Sequence, residues 1–215
     1  MSVWRELGRA RGHAPTGAVV WRELGGHKAR PYGEMNVMAY DPHKHHRRSI
    51  RLKGYDYSQA GAYFVTICIN HGQCRLGEVH NGILIPSLAG IMVAACWFAL
   101  AERFPNVDLD VFTLMPNHVH AILVIGEPGL TEKKRPLVLG NMVGAFKSLS
   151  TNDYIDGVHE QGWEPFDKRL WQRDFYDRVI RNERELEAIR AYIINNPANW
   201  QADKLHPDAP RSNCV

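Results

Sequence analysis

The alternation of hydrophobic and polar positions changes period several times along the chain, and each change marks an element. Tyr63 to Ile69 is β-branched and aromatic and predicts a first strand. Leu76 to Ile85, interrupted by Asn81-Gly82, predicts a short hairpin. Ser87 offers an N-cap for a helix from Leu88 to about Arg103, and Pro105 marks its end. Within it Leu88, Ile91, Met92, Ala95, Phe98 and Ala99 recur at three- and four-residue spacing, which predicts one buried face. Val107 to Met115 and His118 to Ile125 predict an antiparallel pair joined tightly through Pro116-Asn117. The second of these is apolar on both alternating sets, as a mid-sheet strand covered on both faces should be.

Glu127 to Pro136 is polar and predicts a loop. Leu139 to about Tyr154 predicts a second helix, with Met142, Val143, Phe146 and Leu149 as its apolar stripe. Leu170 to Ile180 predicts a strand with a bend. Asn182 followed by Glu185 has the spacing of a capping box. The helix it opens carries Leu186, Ile189 and Ile193 as its buried stripe and stops at Pro197. Strands and helices interleave with hairpins, which predicts an α+β sandwich with helices packed on one antiparallel sheet. Spacing alone does not give the strand order.

Length and charge add boundaries. The chain has 215 residues and a net charge of +3, unevenly spread. Residues 1–53 hold eleven Lys/Arg, four Asp/Glu and five of the eleven histidines, a net +7, while the remainder sums to −4. A basic leading arm suits an anionic partner such as nucleic acid, and equally suits a solvated tail. Residues 1–47 repeat Val3-Trp-Arg-Glu-Leu-Gly8 as Val20-Trp-Arg-Glu-Leu-Gly25 and are broken by Gly and Pro, so they read as a disordered basic arm. The run His43 to Arg48 could chelate metal, but a hydrated basic segment accounts for it as well. Residues 48–200 form the expected domain, and 201–215 a flexible tail.

Cys68, Cys74, Cys96 and Cys214 show no paired spacing, so neither a zinc knuckle nor a disulfide framework is indicated. The first residues are interrupted by Arg5, Glu6, Arg9 and Arg11, unlike a signal peptide. No apolar run approaches the roughly 20 residues that span a bilayer. A soluble protein inside the cell, without a membrane partner, is expected.

The candidate chemistry begins at Met115-Pro-Asn-His-Val-His120. Strand side chains alternate between faces, so His118 and His120 project from the same one. Taken alone they are half of a metal site or two core histidines. Tyr192 and Asn196 lie one helical turn apart on the last helix and share a face. Separately they read as a core-edge tyrosine and a capping or turn residue. Together the four groups offer two imidazoles, an amide oxygen and a phenol.

Met115-Pro-Asn-His-Val-His120 closely resembles the His-hydrophobic-His motif of the HUH endonuclease superfamily. Leu170-Trp-Gln-Arg-Asp-Phe-Tyr176 and Ile189-Arg-Ala-Tyr-Ile-Ile-Asn-Asn-Pro197 resemble blocks of the REP-associated tyrosine transposases, bacterial relatives of single-tyrosine insertion-sequence transposases. Gly54-Tyr-Asp-Tyr-Ser58 through Tyr63-Phe-Val-Thr66 is also similar to that family. The resemblance covers about residues 48–200, with three separated blocks in the family's order; residues 1–47 lie outside it.

The resemblance implies a ferredoxin-like antiparallel sheet with helices packed on one face. It makes His118, His120 and Asn196 ligands of a divalent cation, Mg²⁺ or Mn²⁺, and Tyr192 the nucleophile. Tyr176 is a competing phenol without an amide four residues on. The implied activity is cleavage and rejoining of single-stranded, hairpin-forming repeat DNA through a covalent 5′-phosphotyrosine, in a bacterial cytoplasm at the nucleoid. Lys147, Arg169, Trp171, Gln172, Arg173 and Arg178 are candidate DNA contacts, with solvated charges and a core tryptophan as the alternative. Competing functions are a catalytically silent nucleic-acid-binding module of the same fold and a metal-binding regulator. Monomer and homodimer are both compatible with the pattern.

Overall fold

A computed structural model describes residues 55–126 and 138–209. The chain divides into units Met1–Arg47 and Arg48–Val215, and all described residues belong to the second. The expected basic arm, its histidine run and the whole of the expected loop from Glu127 to Pro136 lie outside the described residues, as does the end of the expected tail.

The elements run β1 (Gly61–Cys68), β2 (Gly77–His80), β3 (Ile83–Pro86), α1 (Leu88–Phe98), α2 (Leu100–Arg103), β4 (Val107–Leu114), β5 (His118–Ile125), α3 (Leu139–Gln161), β6 (Tyr176–Ile180) and α4 (Glu183–Asn195). Four strands form one antiparallel sheet in the order β4-β5-β1-β6. The small hairpin β2–β3 stands apart from it, and Asn81 (φ 52°) and Gly82 (φ 77°) both take the left-handed conformation its two-residue turn requires. The doubly apolar β5 lies inside the sheet, paired to β1 and β4, and seven of its eight residues are buried.

The alternation of β1 and β5 feeds two cores. Tyr63, Val65 and Ile67, with Val119, Ala121, Leu123 and Ile125, pack against Val93 and Trp97 of α1 and Met142, Val143 and Phe146 of α3. Phe64 and Ile122 point the other way and meet Ile180 with Ile189 and Ile193 of α4. The expected α+β antiparallel sheet with helices on one face is present in α1 and α3. To this the structure adds α4 on the second face, where period two also places His118 and His120 beside Ile122.

Two helices differ from their sequence pattern in an instructive way. In α1 the stripe predicted to be buried is the exposed one: Leu88, Ile91 and Phe98 are 63, 54 and 42% exposed. The opposite face, Ala89, Val93, Cys96 and Trp97, enters the core instead. This helix is apolar all round, so periodicity could not choose between its faces. Small residues decided the matter, because Gly90 lets the helix start settle directly on the Leu76 carbonyl. The helix α3 continues past Tyr154 to Gln161, since Tyr154 and Gly157 keep packing and bonding against Trp163 and Glu164 before Gly162 (φ 69°) ends it.

The expected bent strand resolves into a single bridge, Ile69 to Trp171, and then β6. Between them Lys147 Nζ donates to the carbonyls of Gln172, Arg173 and Asp174 (2.8, 3.3 and 3.0 Å), which holds the bend. The cap of α4 forms as its sequence predicts, with Asn182 Oδ1 accepting from Glu185 N (2.9 Å). Arg190 then ties this helix to β4 through two bonds to Asp110 Oδ2 (2.9 and 2.6 Å). Among the described residues no helix is long and apolar enough to cross a membrane.

A methyl group at Gly90 would lie 2.0 Å from the Leu76 carbonyl oxygen, an atom that cannot rotate away. Gly90→Ala is therefore expected to cost about 2 kcal/mol or more in urea unfolding, at the upper end of overpacking penalties. An unchanged midpoint would show that α1 can shift away from that carbonyl.

Candidate active site

The site is built where the tight turn into β5 meets α4. Pro116 and Asn117 turn the chain between β4 and β5, with Met115 N bonded to His118 O (2.9 Å) and Ile69 N to Asn117 O (2.8 Å). His118 and His120 then stand opposite Cys68 and Thr66 of β1. Both imidazoles are essentially inaccessible, as are Asn117 and Asn196. The face is closed by α4, whose Ile189 and Ile193 each contribute about 1.5–3 kcal/mol of apolar burial.

Asn117 sets the orientation of His118. Its Nδ2 donates to the carbonyls of Gly72 (3.1 Å) and Leu205 (2.8 Å), which leaves Oδ1 as the acceptor facing His118 Nδ1 (2.8 Å). His118 must therefore carry its proton on Nδ1 and present a lone pair from Nε2. His120 Nδ1 meets Thr66 Oγ1 at 2.8 Å, so its Nε2 also faces inward. The two Nε2 atoms are 3.1 Å apart. That spacing matches two nitrogens bound at about 2.1 Å to one cation at near a right angle.

Tyr192 and Asn196 arrive on the same face, as their spacing predicts. Tyr192 is half exposed, with its hydroxyl 3.5 Å from His120 Nε2 and its ring edge-on to Phe64. Asn196 is 3% exposed, and its Oδ1 is a buried oxygen with no hydrogen-bond partner. A buried, unpartnered amide oxygen on the helix that carries Tyr192, together with two inward-facing imidazole edges, fits a divalent cation. His118, His120 and Asp203 also place one donor atom each within 4.8 Å of one another, a group able to hold a metal.

Burial drives the electrostatics. Desolvation, reinforced by the neighbouring His120, holds His118 well below the usual 6.5, and desolvation pushes His120 down to about 3. Both rings are thus neutral near pH 7, the form that ligates metal. Burial and the Asp203 carboxylate raise the Tyr192 phenol above its ordinary 10, partly opposed by a hydrogen bond with Asn196.

The other candidates separate from this centre. Tyr176 is 40% exposed and touches Phe64 edge-on, without a hydrogen bond to either histidine. Lys147, Arg169, Trp171, Gln172 and Arg173 come together along a groove of about 490 Å³, with Lys168 beside them. None of the residues lining it belongs to the histidine site. Of the two readings of Trp171 the structure has the core one: it is 3% exposed, packs on Phe146 and donates to Ser150 Oγ (2.9 Å). Lys147 is engaged by the backbone of the bend, and Arg178 is paired with Glu185.

Three residues of the site were not anticipated as such. Asn117 sits within the histidine motif, where its position next to His118 was the available signal. Thr66 lies in β1 and reaches His120 only through strand pairing. Asp203 follows Pro197 by six residues and shares no periodicity with α4. The segment 201–209, expected as the start of a flexible tail, instead carries Asp203, Leu205 and His206 against the site, with His206 packed on Trp200.

Fold and site together define an α+β protein with a buried two-histidine, asparagine and aspartate cluster beneath a half-exposed tyrosine. The chain belongs to the same family as an uncharacterized Haemophilus influenzae protein, to which it is 36% identical over 183 residues, covering 79% of this chain and 98% of that one. No protein-family model matches it. Among solved structures it is similar to a REP-associated tyrosine transposase bound to a REP hairpin, with TM-score 0.47 and 17% identity over 75% of this chain and 91% of that one. It is also similar to a Deinococcus radiodurans R1 protein assigned as a transposase, with TM-score 0.39 and 18% identity over 67% of this chain and 95% of that one.

The two histidines give a signed pH test in chelator-treated protein. Unfolded, each imidazole takes up a proton as pH falls through about 6.5. Folded, neither does until much lower pH, so the unfolded state binds more protons and stability falls on acidification. Urea unfolding is expected to weaken between pH 6.5 and 5, by up to about 1.4 kcal/mol per pH unit per histidine. The slope should flatten in a His118→Gln/His120→Gln double variant. A flat wild-type profile would contradict the neutral, desolvated assignment.

Proposed function

We propose that the protein is a metal-dependent single-stranded DNA endonuclease and strand transferase of the REP-associated tyrosine transposase type. The observation that carries this reading is the meeting of four groups from distant segments. The Tyr192 hydroxyl reaches His120 Nε2, while the orphaned Asn196 Oδ1 sits one turn further along the same helix. A core histidine pair has no need of an accessible phenol or an unpaired amide oxygen. A reacting centre for phosphate needs both.

His118, His120 and Asn196 would hold Mg²⁺ or Mn²⁺, with the imidazole nitrogens making Mn²⁺ at least as suitable. When bound, the cation supplies Lewis-acid stabilisation of charge on a phosphate oxygen. Tyr192 is the nucleophile. Its oxygen forms a bond to phosphorus, the P–O3′ bond breaks, and the departing 3′-oxygen takes up a proton while the phenol gives one to solvent. The 5′-phosphotyrosine retains the phosphodiester energy, so a free 3′-hydroxyl can attack it, rejoin DNA and return the phenol without ATP. Phe64 supports the Tyr192 ring, and the half exposure of that ring leaves room for a polymeric substrate.

Substrate selection has two parts on this reading. The residue family implied by the motifs prefers hairpin-forming repeats, which we carry over as the substrate. The groove with Lys168, Arg169 and Arg173 along its rim would receive backbone phosphates, with Gln172 as a candidate base or backbone contact. Its contribution would be electrostatic and salt-dependent. The setting is a bacterial cytoplasm, at the nucleoid.

Incubation of the protein with labelled single-stranded hairpin DNA and Mn²⁺, followed by denaturing electrophoresis, is expected to give a covalent adduct that Tyr192→Phe abolishes and Tyr176→Phe retains. Binding without adduct across several hairpins and metals would instead identify a silent binding module. Arg169→Ala/Arg173→Ala is expected to weaken binding and to reduce the salt slope of log Kd by roughly 0.7 per lost phosphate contact on single strands. An unchanged slope would remove the groove from the DNA path.

A further inference from the structure

We propose that Asp203 is a ligand of the same cation, delivered by the segment that follows α4. The site would then comprise two imidazoles, one amide oxygen and one carboxylate. This inference rests on the metal-dependent reading above and extends it to a residue outside the helix and strand that frame the centre.

The two oxygens of Asp203 have different surroundings. Oδ1 accepts from Leu205 N (2.7 Å) and closes a local turn. Oδ2 faces inward and lies 3.9 Å from His118 Nε2. The side chain is only 7% exposed, and among the described residues no lysine or arginine pairs with it. A carboxylate with little access to water and no cationic neighbour is costly. The His118 and His120 Nε2 atoms lie 3.1 Å apart beside it, and Asn196, whose buried Oδ1 has no partner, hydrogen-bonds the Tyr192 phenol that reaches His120. A divalent cation compensates all four at once.

The segment is built to hold this position. It leaves α4 as a 3₁₀ helix, Pro197–Ala202, whose Trp200 is buried and packs over His118 (6.1 Å between ring centres). Trp200 also packs against His206 (4.8 Å), and Asn117 Nδ2 grips the Leu205 carbonyl (2.8 Å). Asn117 therefore bonds to the strand that presents His118 and to the turn that presents Asp203. An added carboxylate makes the donor set harder, favouring Mg²⁺ and Mn²⁺.

The test is calorimetric titration of the metal-free full chain with Mn²⁺, which needs no DNA and no turnover. Asp203→Asn keeps an oxygen able to accept from Leu205 N–H, so it preserves the turn and removes the charged donor. Mn²⁺ affinity is expected to fall about a hundredfold or more, beyond what loss of an outer-shell partner costs, with circular dichroism unchanged. A smaller loss would overturn the assignment of Asp203. Should this variant fail to fold, Asp203→Ser, whose hydroxyl can also accept from Leu205 N–H, is titrated against the same threshold. Failure of the underlying reading looks different: wild type itself would bind neither Mn²⁺ nor Mg²⁺, or would bind equally after His118→Ala/His120→Ala.

Discussion

Four polar side chains are buried at the start of β5, and most of the site's geometry follows from satisfying them. Two imidazoles, an amide and a carboxylate crowd together under α4, with no basic side chain among the described residues to balance them. The protein satisfies each outward-facing polar atom internally: His118 Nδ1 by Asn117, His120 Nδ1 by Thr66, and Asp203 Oδ1 by Leu205. The inward atoms are left facing one another. An arrangement that satisfies one side of each group and leaves the other side convergent is costly unless something charged joins it.

The fold makes that convergence possible by using both sides of one sheet. The larger core, between the sheet and α1 with α3, carries most of the apolar burial. The second face is a smaller core of Phe64, Ile122, Ile180, Ile189 and Ile193, so α4 depends on added fastenings. Arg190 supplies one through Asp110 of β4, and the Asn182 cap supplies another. The cap fixes the start of the helix and Arg190 fixes it close to Tyr192, where a shift of one ångström would separate the phenol from the histidines. Rigid placement from outside the site is what a nucleophile acting on a positioned phosphate requires.

Much of this was legible along the chain. The boundaries of β1, β5 and α4 followed from composition and caps, and the Tyr192 hydroxyl lies 3.5 Å from His120, with Asn196 one turn further along α4. The misreadings have specific physical sources. In α1 both faces are apolar, so only the close approach at Gly90 reveals which is buried. For Trp171 the sequence left stacking surface and core open, and only the packed fold, with the indole N–H committed to Ser150, decides for the core. Asp203 escaped notice because it lies in a non-periodic turn that Trp200 and Asn117 hold against the histidines. Residues brought together by a loop leave little periodic signal, whereas residues sharing a strand or helix face do.

The central claim is that one particular phenol captures DNA at this centre, and mass spectrometry of the adduct tests it most directly. Trypsin separates the two candidate tyrosines, since Tyr192 falls in the peptide from Ala191 to Lys204 and Tyr176 in that from Asp174 to Arg178. After reaction with single-stranded DNA, nuclease trimming and digestion, the account requires a 5′-linked nucleotide on Tyr192 within the first peptide. A nucleotide on Tyr176, or on any other residue, would contradict it.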